Sequence, residues 1–121
     1  MNDQQAVLFV GNDLMFFSKV SSAANQAGFR GCMVKSADSI AERFQPEEIG
    51  WVILDLFQLP TERICELVTD LRACCGSARI IGFGPHVDGE NLDAARLAGL
   101  DAVMTRGQLH RSLPELFLAA N

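Results

Sequence analysis

The sequence predicts one doubly wound α/β domain, a parallel sheet of five strands with helices on both faces. Short apolar runs alternate with stretches of helical periodicity through all 121 residues. Two of those runs, Ala6–Val10 and Trp51–Leu54, have no polar alternation, as expected of strands covered on both sides. The length suits a single domain, here residues 1–121, with no repeat, linker or low-complexity tract to divide it.

The elements follow in order. Ala6–Val10 is the first strand and stops at Gly11. From Leu14 to Ala27 a helix places Phe16, Val20, Ala23 and Ala27 on one face, and Gly28 sits at its C-cap. Arg30–Val34 is a short second strand. A second helix carries Ala37, Ile40, Ala41 and Phe44 inward, capped by Ser36 or Asp38 and stopped by Pro46. Trp51–Leu54 is the third strand, with Asp55 at its end. Ile64, Leu67, Val68 and Leu71 face inward on the third helix, and Gly76 ends it. Arg79–Phe83 is the fourth strand, broken by Gly84-Pro85. Leu92, Ala95 and Ala98 mark a fourth helix closed by Gly99. Ala102–Thr105 is the fifth strand. Ser112-Leu113-Pro114-Glu115 reads as a capping box opening the fifth helix, whose stripe is Leu113, Leu116, Phe117 and Ala120.

Strands separated by helices pair in parallel, because parallel neighbours need long crossovers. Right-handed crossovers then cover both faces and give the flavodoxin-like strand order 2-1-3-4-5. In such sheets ligands meet the C-terminal strand ends. The residues delivered there are Gly11, Asn12 and Asp13, then Asp55, then Gly84, Pro85 and His86, then Arg106.

Composition excludes several functions. Ten basic and fifteen acidic residues give a net charge of -5, a field unfavourable to nucleic acid and to anionic membranes. No apolar run is long enough to span a bilayer, and the N-terminus lacks the basic stretch of a secretory signal, so a cytoplasmic location is expected. Cys32, Cys65, Cys74 and Cys75 have neither zinc-site nor disulfide-framework spacing. Cys32 and Cys65 read as small core hydrophobes, and Cys74–Cys75 as a helix end shared between packing and exposure. There is no G-x-G-x-x-G, Walker or G-x-S-x-G pattern, and no enzymatic activity is expected.

Four segments carry a family likeness: VLFVGNDLMFF with Gly28-Phe29, VILDLFQLP, RIIGFGPHVD and ARLAGLDAVMTRG. In this order they resemble the receiver domain of two-component response regulators, of the chemotaxis-regulator type, over essentially the whole chain. The resemblance makes Asp55 the candidate phosphoacceptor. It places Gly11 and Asn12 where the family keeps two metal-binding acids, and Asp13 at the third position of that cluster. Gly84 stands for the family's Thr/Ser, Arg106 for its lysine and Gly107 for the following proline. Asp55 also lies one residue farther from Pro60 than the family's spacing, through a longer loop or a bulged strand end.

Phosphoryl transfer to a carboxylate needs a divalent cation to screen like charges, and hard cations want anionic oxygens. Asp13 and Asp55 are the weak metal candidates; no resident cofactor is expected, and magnesium would be held weakly. The resemblance with these departures implies a degenerate (pseudo-)receiver, a phosphorylation-independent interaction module. The alternative is an atypical receiver phosphorylated on Asp55 by a histidine kinase. A third reading is a ligand-binding or hydrolytic domain with Asp55 as nucleophile and His86 as base. Simpler readings make Asp55 a strand-end carboxylate bonded to backbone amides or Arg106, and His86 a loop residue. Arg106, His110 and Arg111 then belong to solvated surface. The expected partner is another signalling protein, with no nucleic acid and no membrane. No output domain is expected after the last helix, so output would pass through a face of the fourth helix, fifth strand and fifth helix. Leu97, Leu100 and Met104 lie there, and a homodimer could use it.

Overall fold

The computed structural model describes residues 4–57, 61–84 and 99–118, the side chains of 61 and 62 excepted. In chain order these form β1 (Ala6–Val10), α1 (Leu14–Gln26), β2 (Arg30–Val34), α2 (Ala37–Arg43), a 3-10 turn (Pro46–Glu48), β3 (Ile49–Asp55), α3 (Thr61–Cys75), β4 (Arg79–Gly84), β5 (Ala102–Thr105) and α4 (Arg106–Leu116). The five strands form one sheet, ordered β2-β1-β3-β4-β5 and parallel at every pairing. The helix expected around Leu92, Ala95 and Ala98 lies outside the described residues.

β1 shows why the apolar runs read as two-sided strands. All five of its residues are buried, and successive side chains enter opposite cores. Leu8 and Val10 join Ile40, Ile64, Val68 and Leu71 under α2 and α3. Val7 and Phe9 join Phe16, Val20, Leu109 and Leu113 under α1 and α4. Among the described residues neither core contains a buried polar or charged residue.

Local signals position the helix ends. Asp13 caps α1 by accepting from the Phe16 N–H, and Ser36, not Asp38, caps α2. Gly28, after α1, takes φ +90° and Gly76, after α3, φ +60°, backbone geometry that suits residues without a Cβ. On α1 the buried face is Phe16, Val20 and Ala24, with Ala23 and Ala27 only partly covered.

Three expectations need correction, and one open alternative at the end of β3 is decided. The last helix does not open at Ser112: α4 begins at Arg106 and keeps Pro114 inside its final turns. The Thr105-x-x-Gln108 pair forms a reciprocal capping box there, which satisfies two N-terminal donors at once. Ser112 instead turns its hydroxyl back to the Gln108 carbonyl. Cys65 lies on the outer side of α3 and is exposed, whereas Cys75 is buried. β3 is longer than its apolar run, reaching from Ile49 through Asp55. Its irregularity falls at its start, where the pairing jumps from Ile49 to Trp51. From Trp51 to Asp55 the ladder with β4 is regular, so the strand is not bulged at the end that carries Asp55.

Candidate functional site

The C-terminal edge of the sheet collects the residues singled out above. β1 delivers Gly11 and Asn12, β3 ends on Asp55, β4 ends on Gly84, and β5 hands over to Arg106 as the first residue of α4. His86 lies outside the described residues.

Asp55 is half-buried and its Oδ1 accepts the Phe57 N–H at 2.8 Å. This local turn is one that aspartate makes readily just past a strand. Burial is the chief influence on its acidity and raises the pKa above the ordinary carboxylate value. The Phe57 N–H opposes that shift, the Asp13 charge adds to it, and the Arg106 charge works against it.

Gly11 lies against this carboxylate. A Cβ built there would stand 2.8 Å from the Asp55 Cβ and 3.2 Å from the Phe9 ring edge. β1 and β3 approach too closely for any larger residue while the strands stay in place. The position that the resemblance assigns to an acid is therefore closed by packing as well as by residue type.

Asp13 is engaged twice. Its Oδ1 accepts the Phe16 N–H at 3.0 Å, and its Oδ2 accepts from the Arg106 guanidinium. That guanidinium lies 5.0 Å from the Phe16 ring centre and 6.0 Å from that of Phe57, contacts that favour a flat, weakly hydrated cation. Of the two partners read for Asp55, backbone amides or Arg106, the structure shows the Phe57 amide, and Arg106 pairs with Asp13. Asp13 is nearer to hand and already oriented by capping α1. Among the described residues no group of three or more His, Cys, Asp or Glu converges as a metal site.

Asp55, Gly11 and Asn12 line an open pocket of about 530 Å3, with Leu54, Leu67 and Lys35. Lys35 and Leu67 were not singled out in the sequence. For Lys35 the signal was present, because it directly follows β2 as Gly11 follows β1. Leu67 was legible only as a core position of α3.

The apolar residues expected on the contact face are half-buried. Leu100 packs on one core and Met104 on the other, and Leu97 is outside the described residues. The large apolar side chains that reach the surface include Leu14, Met15 and Phe57, at 70%, 78% and 41% exposure. They lie on the same rim as Arg106. No described helix is long and apolar enough to cross a membrane.

No protein-family model and no curated protein matches the sequence. Solved structures do match the fold. A response regulator from Thermotoga maritima superposes with a TM-score of 0.77 at 19% identity, over 97% of each chain. A CheY-like protein (tadZ) from Pseudomonas aeruginosa gives 0.76 at 15% identity, over 97% of this chain and 93% of that one. A putative pilus assembly-related protein from Burkholderia pseudomallei gives 0.71 at 17% identity, over 99% and 91%. The fold is that of a receiver domain. Within this receiver fold the strand order, the position of Asp55 at the end of β3 and that of Arg106 after β5 agree with the sequence-based alignment of motifs. At these identities the likeness is one of fold, and the chemistry must be argued from the pocket itself.

Proposed function

We propose that this chain is a degenerate receiver whose output is contact with another protein, independent of phosphorylation. One observation carries the reading: Gly11 packs against Asp55 where a metal-binding acid would be needed. Asp13, the other nearby acid among the described residues, is taken up as the cap of α1 and as the partner of Arg106. Among the described residues the pocket is left with one carboxylate, and a divalent ion held by one carboxylate and neutral oxygens binds weakly. Without that ion, an incoming phosphoryl group and Asp55 repel each other. Gly84 ends β4 without a hydroxyl that could follow a new phosphoryl group.

The partner is a protein in signalling or regulation, or a second copy of the chain. Receiver folds in chains described as pilus assembly proteins, alongside response regulators, are compatible with a scaffold role. The test is incubation with acetyl phosphate and magnesium followed by intact-mass measurement. No acid-labile phosphoryl adduct is expected. A stoichiometric adduct that disappears in Asp55→Asn would make the chain an atypical phosphorylatable receiver instead. The pocket's openness to solvent beside Asp55 is what favours that second reading.

A further inference from the structure

We propose that the pocket beside Asp55 binds a small zwitterion, with a primary ammonium held by Asp55 and Asn12 and an anionic end held by Lys35. The inference rests on the reading that the pocket holds no divalent ion, and it names what the same pocket can hold instead.

Charge counting comes first. Among the described residues, the walls offer one carboxylate (Asp55), one neutral amide (Asn12) and one ammonium (Lys35). A divalent cation would be left undercompensated, whereas a monovalent ammonium is matched by a single carboxylate. It also donates up to three hydrogen bonds, and the Asn12 amide oxygen can accept one.

The geometry at Asp55 leaves an acceptor for it. Oδ1 is used by the Phe57 N–H. Oδ2 accepts no hydrogen bond from the described residues, and it faces the space beside Gly11, 3.3 Å from where a Cβ would stand. The arginine that could have neutralised this carboxylate is paired with Asp13.

The rest of the pocket selects what the amine is attached to. Leu54 and Leu67 give an apolar wall for a methylene stem. Lys35 is exposed and repels a ligand that is only cationic. A ligand that is only anionic meets the Asp55 carboxylate. A molecule with both charges satisfies both ends, and about 530 Å3 is ample for one.

The experiment is titration of the uniformly labelled chain, followed by NMR, with γ-aminobutyrate and ε-aminocaproate. Hexylamine and caproate supply the half-charged controls. At least one zwitterion is expected to give saturable shifts at Asn12, Lys35 and Asp55, binding about tenfold or more tighter than either control. Asp55→Asn should abolish this binding, and Lys35→Ala should erase the preference for zwitterion over hexylamine. The amide spectrum reports whether each variant is folded, and Lys35, being exposed, gives a variant whose folding is not at issue.

Absence of saturable shifts with both zwitterions, equal binding of hexylamine, or binding that survives Asp55→Asn would overturn the proposal. The acetyl phosphate assay separates the two readings. An adduct on Asp55 removes the degenerate reading and this one with it, whereas no adduct and no zwitterion binding removes this one alone.

Discussion

Arg106 reaches across from the start of α4 to Asp13 at the start of α1, and among the described residues Asp55 is left without an ion-pair partner. The pair ties together two helix N-termini, and it does so at a position where Asp13 is already held as a cap. Capping and pairing can be separated by substitution. Asp13→Asn keeps a good cap and loses the charge, whereas Asp13→Ala loses both. Urea unfolding should show Asp13→Ala costing about 1–2 kcal/mol as the sum of a cap and a partly exposed pair. Asp13→Asn and Arg106→Ala should each cost no more than about 1 kcal/mol. A larger loss for Arg106→Ala than for Asp13→Ala would mean that the guanidinium stabilises chiefly through Phe16 and Phe57.

Gly11→Ala should destabilise by about 1–3 kcal/mol, because the new methyl meets the Asp55 Cβ and the Phe9 ring with no flexible neighbour to yield. Gly11→Asp should cost at least as much and should not create tight magnesium binding, since the added carboxylate must first push β1 and β3 apart. Calorimetric titration with magnesium checks the second point. Tight binding in Gly11→Asp would show that the strands can part.

The raised pKa of Asp55 has a defined sign in stability. Its carboxyl holds its proton more tightly folded than unfolded, so across that interval the native state binds more protons. Stability from this group is full below the unfolded value, near 3.8, and is lost as pH rises through the higher folded value. Asp55→Asn should therefore equal or exceed the native chain in stability at neutral pH, with the difference vanishing near pH 3.8 and below. Paired urea melts across that range test it. A loss of stability at neutral pH would show that the carboxylate makes a favourable charged contact.

Thiol reactivity should be ordered by burial. Cys65 is exposed, while Cys75 is buried with its thiol pushed up to about 12, chiefly by burial and then by Cys74 beside it. A disulfide reagent at mild alkaline pH should label Cys65 fast and Cys75 only on unfolding. Cys65→Ser should remove the fast phase, and its persistence would place the reactive thiol elsewhere.

The true start of the last helix is open to a direct check. Thr105→Ala should cost about 1 kcal/mol through loss of the cap, while Ser112→Ala should be within a few tenths, because its hydroxyl merely bonds back along the helix. The reverse order in thermal melts would restore Ser112 as the helix start.

The sequence by itself determined the strand set, the parallel order and the arrival of Asp55 at the pocket edge. Those follow from apolar periodicity and from glycines at helix ends, which are local properties written residue by residue. It misplaced the start of α4 because Pro114 within a Ser-x-x-Glu-like run was a stronger local signal than Thr105-x-x-Gln108. Only the tertiary structure decided that Arg106 takes Asp13, that Gly11 is a packing necessity and that Lys35 joins the pocket. Each depends on distances between strands and helices far apart in the chain. Charges and close contacts fall off within a few ångströms, so no periodicity along the sequence can report which of two nearby acids an arginine will reach.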